Sequence, residues 1–157
     1  MVRLIPMTDA QFQEFLAVSV PDYAAEMVVA GNWPAQGAEE RARAEFRELL
    51  PHGLNTPNNY LWRIVDERSG EAVGHLWLCV REEGRRGFVY DVEVYERFRR
   101  RGYGRQAFLA MEEIARDLGL IAIGLHVFAH NAPARALYQD LGFTERGIMM
   151  AKEIDRR

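Results

Sequence analysis

The sequence is poor in several residue types, and each scarcity excludes a class of protein. Its 157 residues include one cysteine, Cys79, so no disulfide can form within the chain, and a reducing compartment is expected. No apolar run approaches the about 18 residues of a membrane-spanning helix, and the N-terminus lacks a signal-peptide pattern. We therefore predict a cytoplasmic protein with no membrane partner.

Lysine is also scarce, since Lys152 is the only one, and nearly all the basic charge is arginine. The net charge of −3 argues against a nucleic-acid partner. Residues 1–60 are acidic, whereas the five arginines between Arg97 and Arg105 have no acid among them. One strongly basic segment therefore stands out in an acidic chain.

The basic segment has the pattern of a strand, a glycine turn and a helix. Residues 89–95 are rich in β-branched and aromatic side chains, which are typical of a strand. Gly102 and Gly104 follow the arginines, and a helical apolar period begins at Ala107. A glycine turn that enters a helix leaves backbone N–H groups free, and the helix dipole makes them an anion site. The pattern therefore predicts that a di- or polyphosphate binds here.

The glycine turn is compatible with several types of binding motif. A nucleotide P-loop requires Lys-Ser/Thr after the second glycine, and the chain has Arg105-Gln106 there. The dinucleotide motif fits Gly102-x-Gly104-x-x-Ala107, but the acidic residue expected about 20 positions later is missing. A solvated arginine turn and an RNA-binding turn are further alternatives, and the latter predicts binding that weakens steeply with salt.

Periodicity along the rest of the chain predicts an α+β fold. We expect an edge strand at 2–6, a helix from Thr8-Asp9 that Pro21 breaks, a helical piece at 22–31 and a third helix at about 39–50. Strands are predicted at 60–66, 72–80, 88–95 and 121–128, with a charged turn at 81–87. Helices are predicted at 103–118 and after Asn131, and a closing hairpin pairs 143–144 with 148–154. The strand before the glycine turn should neighbour 121–128 in the sheet.

Two ordered motifs carry a family resemblance. The first is Arg99-Arg100-Arg101-Gly102-Tyr103-Gly104, and the second runs from Asn131 through Leu137-Tyr138 to Gly142-Phe143. The pair resembles the coenzyme motifs of the GNAT (GCN5-related) N-acetyltransferase superfamily. The resemblance implies a single domain over 1–157, with 60–154 as the sheet and coenzyme-binding core and 1–55 as a mostly helical substrate wall. It also implies a mixed, mainly antiparallel central sheet, flanked by helices and splayed between the fourth and fifth strands.

The resemblance implies an enzyme that transfers an acetyl group from acetyl-CoA directly to a primary amine, on a small molecule or a peptide. The backbone N–H of Val94 would then hold the acetyl carbonyl, and Val92 would pair with the pantetheine arm. The pyrophosphate would lie on the basic turn, and Asn131 and Ala134 would contact the coenzyme. The turn residues concerned are Arg99, Arg100, Arg101, Gly102, Tyr103, Gly104 and Arg105.

The resemblance also suggests catalytic residues. Tyr138 matches the tyrosine that protonates the departing sulfur in the family, although a helical tyrosine can equally be a core residue. Glu93, His126 and Asp91 are candidates for the base, and a water relay remains an alternative. Tyr23, Glu26 and Trp33 of the helical region are candidates for the substrate wall, together with Asp91, because an acidic, aromatic wall suits a cationic amine.

The competing hypothesis is a catalytically silent domain that binds acyl-CoA or a partner. The sequence names neither the acceptor amine nor the acyl length. The resemblance leaves the oligomeric state open, with a homodimer among the possibilities, and we predict no metal site.

Overall fold

The computed structural model describes residues 1–81 and 85–155. The strands are β1 (Val2–Pro6), β2 (Asn59–Asp66), β3 (Ala72–Arg81), β4 (Arg86–Val94) and β5 (Ala122–Leu125). The helices are α1 (Asp9–Val29), α2 (Ala38–Leu49), α3 (Tyr103–Asp117) and α4 (Ala132–Asp140), with short 3-10 turns at Gly53–Asn55 and Glu96–Phe98. Of the helices in this part of the chain, none has both the length and the apolar character needed to cross a membrane.

The five strands form one sheet in the order β1-β2-β3-β4-β5. The first four are antiparallel to their neighbours, whereas β5 runs parallel to β4. The predicted α+β class and the neighbouring positions of β4 and β5 are therefore confirmed. Part of the predicted charged turn at 81–87 lies outside the described residues.

The sheet carries a hydrophobic cluster on each face. On one face α1 and α2 pack Phe15, Phe46 and Trp77 together. On the other, Phe108 and Met111 of α3 pack against the sheet with no exposed surface. Helices on both faces thus bury the central strands, and β3 is the most deeply buried of them.

The N-terminal helix differs from the expectation. Pro21 does not break it, and α1 continues from Asp9 to Val29. Proline removes one intrahelical hydrogen bond, but residues on both sides of it, including Phe15, Val20 and Ala24, are buried against the sheet and α2. Their burial favours one continuous helix over the two pieces predicted.

The C-terminal prediction is wrong in two respects. The strand predicted at 121–128 is shorter, because β5 ends at Leu125. The closing hairpin of 143–144 with 148–154 does not form, since no secondary structure is assigned to any described residue after the turn at Gly142. Apolar alternation predicted strands there, but a strand also needs a partner edge, which the sequence cannot supply.

An irregularity in β4 opens the sheet. Trp77 pairs with Asp91 and Leu78 pairs with Val89, so Tyr90 is an extra residue that forms a β-bulge. The pairing of β4 with β5 ends at Val89, whereas β4 continues to Val94 against β3 alone. The predicted splay between the fourth and fifth strands is thus confirmed, and the bulge marks where it begins.

We predict that Gly74→Ala disrupts the sheet next to the splay. A Cβ atom at Gly74 would clash with the backbone carbonyl oxygen of Glu93, which cannot move without shifting β4. We expect a loss of about 3 kcal/mol in the free energy of unfolding, measured by urea denaturation. Gly124→Ala on β5 is the matched control, because its Cβ would lie 3.7 Å from Phe88, an ordinary contact. Equal stability of the two variants would contradict this account.

Candidate functional site

The unpaired end of β4 turns backbone amides toward the splay. The Tyr95 amide donates to the Val73 carbonyl, so Val94 and Gly74 form a pair without direct hydrogen bonds. Because antiparallel pairs alternate, the N–H groups of Val94 and Val92 point away from β3. Both face the side of β4 that β5 leaves free. The family resemblance implies that these two residues bind the acetyl carbonyl and the pantetheine arm.

The basic turn ends at a helix with free amides. Gly102 is the N-cap of α3 in a left-handed conformation, with φ of 81°, and no side chain caps the helix. The first bond of the helix runs from the Gln106 amide to the Gly102 carbonyl. Within the described residues, no protein acceptor takes the amides of Tyr103, Gly104 and Arg105. The N-terminus of α3 therefore retains the donors that a phosphate requires.

The arginines of the turn fall into two groups. Arg97 bonds Glu71 at 3.1 Å and lies over Phe98, so it is directed to β3 and the 3-10 turn. The Nε of Arg99 donates to the Val94 carbonyl at 2.9 Å, which fixes the end of β4. The remaining arginines, Arg100, Arg101 and Arg105, are exposed. The turn therefore keeps positive charge available next to the free amides.

Two carboxylates of β4 meet a buried histidine that the sequence analysis did not identify. The Nε2 of His75 lies 3.0 Å from Asp91 and 3.8 Å from Glu93, and the ring is almost fully buried. An ionised carboxylate can only accept, so we assign the proton of the imidazole to Nε2. Ser19 of α1 lies 3.4 Å from the same nitrogen, and the ring of Phe15 meets the imidazole edge-on. His75 thereby fixes Asp91 and joins α1 to the sheet.

Glu93 is held less tightly than Asp91. Its nearest cation is Arg99, at 3.7 Å. Burial raises the pKa of the Glu93 carboxyl above its ordinary value of 4.5, His75 and Arg99 lower it, and Asp91 and Asp22 raise it further. A carboxylate with a raised pKa and a loose partner can accept a proton, which is the property expected of a base.

Tyr138 lies at the border between core and cleft. Its ring packs edge-on against Phe108 and Phe143, with centroids at 5.4 and 5.8 Å. Burial and the charge of Asp91 raise its pKa to about 12. The phenol is therefore protonated at neutral pH and close enough to Asp91 to feel its charge. Asn131 caps α4 by accepting the Ala134 amide at 3.2 Å, so its side-chain oxygen is already engaged.

The structure separates the residues predicted for the substrate wall. Trp33 is buried, with Tyr23 edge-on and Arg41 over its ring, so it belongs to the core. The hydroxyl of Tyr23 donates to Glu45 at 2.9 Å. Glu26 reaches His130 at 2.8 Å and connects α1 to the loop after β5. Of the three, Glu26 alone contacts a residue next to the second motif, because His130 directly precedes Asn131.

His126 is not brought to the carboxylates. It follows the end of β5, it is exposed, and its ring packs edge-on against Phe128. The expectation that it lies on β5 is therefore wrong. Conversely, His75 could have been identified from the sequence, because it is a polar residue within the otherwise apolar strand 72–80. No comparable pattern distinguishes Asp22.

Comparisons with known proteins agree with this geometry. The sequence profile of the acetyltransferase (GNAT) family matches residues 24–143. The uncharacterized N-acetyltransferases YycN and YdgE of Bacillus subtilis are 38% and 34% identical, with 98% and 94% of this chain and 99% and 95% of theirs covered.

Solved structures add to this comparison. A crystal structure described as the putative acetyltransferase YycN from Bacillus subtilis superimposes with a TM-score of 0.95 at 37% identity, over 99% of this chain and 100% of that one. A structure described as AAC(6')-Iy in complex with the bisubstrate analogue CoA-S-monomethyl-acetylneamine shares the fold, with a TM-score of 0.63 at 18% identity, over 98% of this chain and 99% of that one.

We predict that Glu93→Gln raises thermal stability at neutral pH. Because the pKa of Glu93 is higher in the folded than in the unfolded chain, its charge destabilises the fold above that range. The destabilisation disappears as the pH falls below the ordinary value of 4.5, where both states are protonated. The melting temperature of the variant should therefore exceed that of the parent at pH 7, and the difference should vanish in acid.

The matched control is Glu48→Gln on the exposed face of α2. It should leave the melting temperature close to that of the parent at both pH values. A Glu93→Gln protein that is less stable than the parent at pH 7 would show that the carboxylate is well solvated or firmly paired.

Proposed function

This chain belongs to the acetyltransferase (GNAT) family and is an N-acetyltransferase, and on that premise we propose that it transfers the acetyl group of acetyl-CoA directly to a cationic primary amine. The single observation that carries the proposal is the splay. It joins free amides on β4, free amides at the N-terminus of α3 and a carboxylate of raised pKa in one cleft.

The residues present fit the coenzyme. The Tyr103, Gly104 and Arg105 amides would hold the pyrophosphate, with Arg100 and Arg101 beside them. The Val92 amide would pair with the pantetheine arm, in place of the strand partner that β5 does not provide. Acetyl-CoA would supply the activated acyl group as a thioester, and the protein would orient it along β4.

The Val94 amide would stabilise the transition state. An amine that attacks the thioester carbonyl carbon forms a C–N bond and places negative charge on the carbonyl oxygen. A backbone N–H that is already directed into the cleft can donate to this oxygen without rearrangement. The bond from Arg99 to the Val94 carbonyl fixes that peptide and therefore the direction of the strand end.

Glu93 and Tyr138 would move the protons. Glu93, directly or through a water, would take a proton from the bound ammonium, and the neutral amine would then attack the carbonyl carbon. Tyr138 would give its phenolic proton to the thiolate as the C–S bond breaks, and the phenolate would regain a proton from the nitrogen that has formed the C–N bond. Asp91 is held by the hydrogen bond from His75 and would lie beside them. The products are an N-acetylated amine and free CoA.

The acceptor is proposed to be cationic before it reacts. The negative charges of Asp22, on α1, and of Asp91 both act on Glu93. The guanidinium of Arg99, just after β4, lies 3.7 Å from the Glu93 carboxylate and offsets part of this negative charge. An ammonium group is attracted by such a site and can lose its proton to Glu93 there. Small molecules and peptides both carry primary amines of this kind.

We expect the protein to release CoA from acetyl-CoA when a primary amine is added, measured as free thiol across a panel of diamines, amino acids and peptides. Glu93→Gln should lower kcat/KM about 100-fold near neutral pH, because the base is removed, and the loss should shrink in acid, where the Glu93 carboxyl of the parent is itself protonated. Glu48→Gln should behave as the parent.

Calorimetric binding of acetyl-CoA without turnover on any amine would favour the catalytically silent alternative. Absence of both binding and turnover would refute the proposed coenzyme site itself.

Tyr138→Phe is expected to lower kcat about 100-fold while the dissociation constant of CoA stays unchanged, because phenylalanine keeps the ring packing and removes only the proton. Tyr60→Phe on β2, whose ring stacks on Trp62, is the control and should have no effect. Stopped-flow turnover and calorimetry measure the two quantities. A parallel loss of stability and CoA affinity would show instead that Tyr138 is a packing residue.

A further inference from the structure

One buried imidazole lies beside both acidic residues of β4. His75, on β3, is directly opposite Glu93 in the antiparallel register, and Asp91 lies two residues before Glu93 on the same strand. Both carboxylates reach the imidazole on the face of the sheet that α1 covers, where Phe15 packs edge-on against the ring. His75 is only 2% exposed, so its hydrogen bonds are made almost entirely within the protein.

Three side-chain oxygens surround the single N–H that we assign to this imidazole. The Nε2 atom lies 3.0 Å from Asp91, which is an ordinary length for an N–H···O bond. It lies 3.4 Å from the hydroxyl of Ser19, a weak bond, and 3.8 Å from Glu93, beyond hydrogen-bonding distance. One N–H therefore bonds Asp91, and Glu93 is left without it.

This bond fixes Asp91 in place. In the part of the chain that the structure describes, His75 is the only side chain joined to Asp91 by a hydrogen bond or an ion pair. Turning the Asp91 carboxylate toward the cleft would leave a buried N–H without its main acceptor, which is unfavourable. Neither Tyr95, whose ring lies 5.9 Å from the imidazole, nor Arg63, opposite His75 on β2, bonds Asp91 in its place.

Glu93 is not fixed in this way. Over the described residues, no hydrogen bond holds its carboxylate, and its nearest cationic group is Arg99 at 3.7 Å. Its side chain is 25% exposed, in contrast to the buried imidazole. The Glu93 carboxylate can therefore turn toward a bound ligand without breaking a hydrogen bond.

We propose that His75 is a positioning residue that determines which carboxylate acts as the base, an inference that rests on the proposed acetyl transfer. By donating its one N–H to Asp91, His75 fixes that carboxylate against β3 and leaves Glu93 free to meet the ammonium group of the acceptor. Ser19 holds the imidazole in this orientation from α1. The choice between Asp91 and Glu93, which the sequence leaves open, is thus made by a residue on the neighbouring strand.

Proton NMR of protein labelled with 15N-histidine identifies the acceptor of this N–H without any turnover. A buried Nε2–H that bonds a carboxylate exchanges slowly and gives a downfield resonance, which His75→Met assigns by its loss. We expect the resonance to persist in Glu93→Gln and to move upfield or disappear in Asp91→Ala, with circular dichroism verifying the fold of each variant. A parent without this resonance, its loss in Glu93→Gln, or its unchanged shift in Asp91→Ala would each overturn the proposal.

Kinetics test the consequence for the base with a matched pair of variants. Glutamine and methionine both extend about as far as Nε2, but only glutamine has an N–H donor. His75→Met should lower kcat/KM about 10-fold, less than removal of the base itself, while the dissociation constant of CoA stays unchanged. His75→Gln should recover most of this loss. Equal losses in the two variants would contradict a role for the N–H.

A double variant separates positioning from a merely structural effect. Glu93→Gln should cost about 100-fold in the parent but only about 10-fold in the His75→Met background, because Asp91 is released there to share the role of base. An unchanged cost of about 100-fold in both backgrounds would overturn the proposal. His52→Gln, in the exposed turn after α2, is the control and should behave as the parent. A parent that acetylates no amine would refute the proposed function, and the resonance alone would then decide whether His75 serves Asp91.

Discussion

The end of pairing between β4 and β5 is the constraint on which the site depends. Parallel pairing lasts for four residues of β4, and the extra residue Tyr90 then turns the strand away. The ring of Tyr90 packs against Trp77 and Phe88 at 4.7 and 4.9 Å, which stabilises the bulge with aromatic contacts. Without this irregularity, β5 would cover the edge of β4, and the amides of Val92 and Val94 would pair within the sheet.

Strand β4 also bears the acidic residues of the site, whose burial lowers the stability of the fold. Asp91 and Glu93 lie close to α1 through His75 and Ser19, and burial disfavours the charged form of Glu93. His75 and Arg99 offset part of that cost, and Ser19 ties the histidine to α1. A fold that only maximised stability would place apolar residues here, so the retained carboxylates fit proton chemistry better than a purely structural role.

The two halves of the molecule are built differently. β1 to β4, α1, α2 and α3 enclose the two hydrophobic clusters and make a rigid frame. β5 and α4 pack against this frame with partly exposed side chains, and residues 144–155 are exposed. The splay lies between the frame and β5, so the proposed coenzyme site would have one wall in each part.

Local sequence determined much of this protein. Gly102 and Gly104 before a helical period predicted the turn that opens α3, Asn131 predicted the start of α4, and the spacing of Asp91 and Glu93 placed both on one face. These features depend on the local backbone conformation and on the periodicity with which side chains occupy one face, and residues close in the sequence determine both. The neighbouring positions of β4 and β5 were also predicted correctly, and the family followed from the resemblance of the two ordered motifs.

Tertiary structure decided the rest. The continuity of α1 through Pro21, the burial of Trp33, the meeting of His75 with Asp91 and the exposure of His126 all depend on residues distant in the chain. The closing hairpin is absent for the same reason, because pairing of 143–144 with 148–154 requires contacts that apolar alternation alone does not determine. The strand propensity of a segment depends on its own residues, whereas the strand it pairs with is determined by the whole fold.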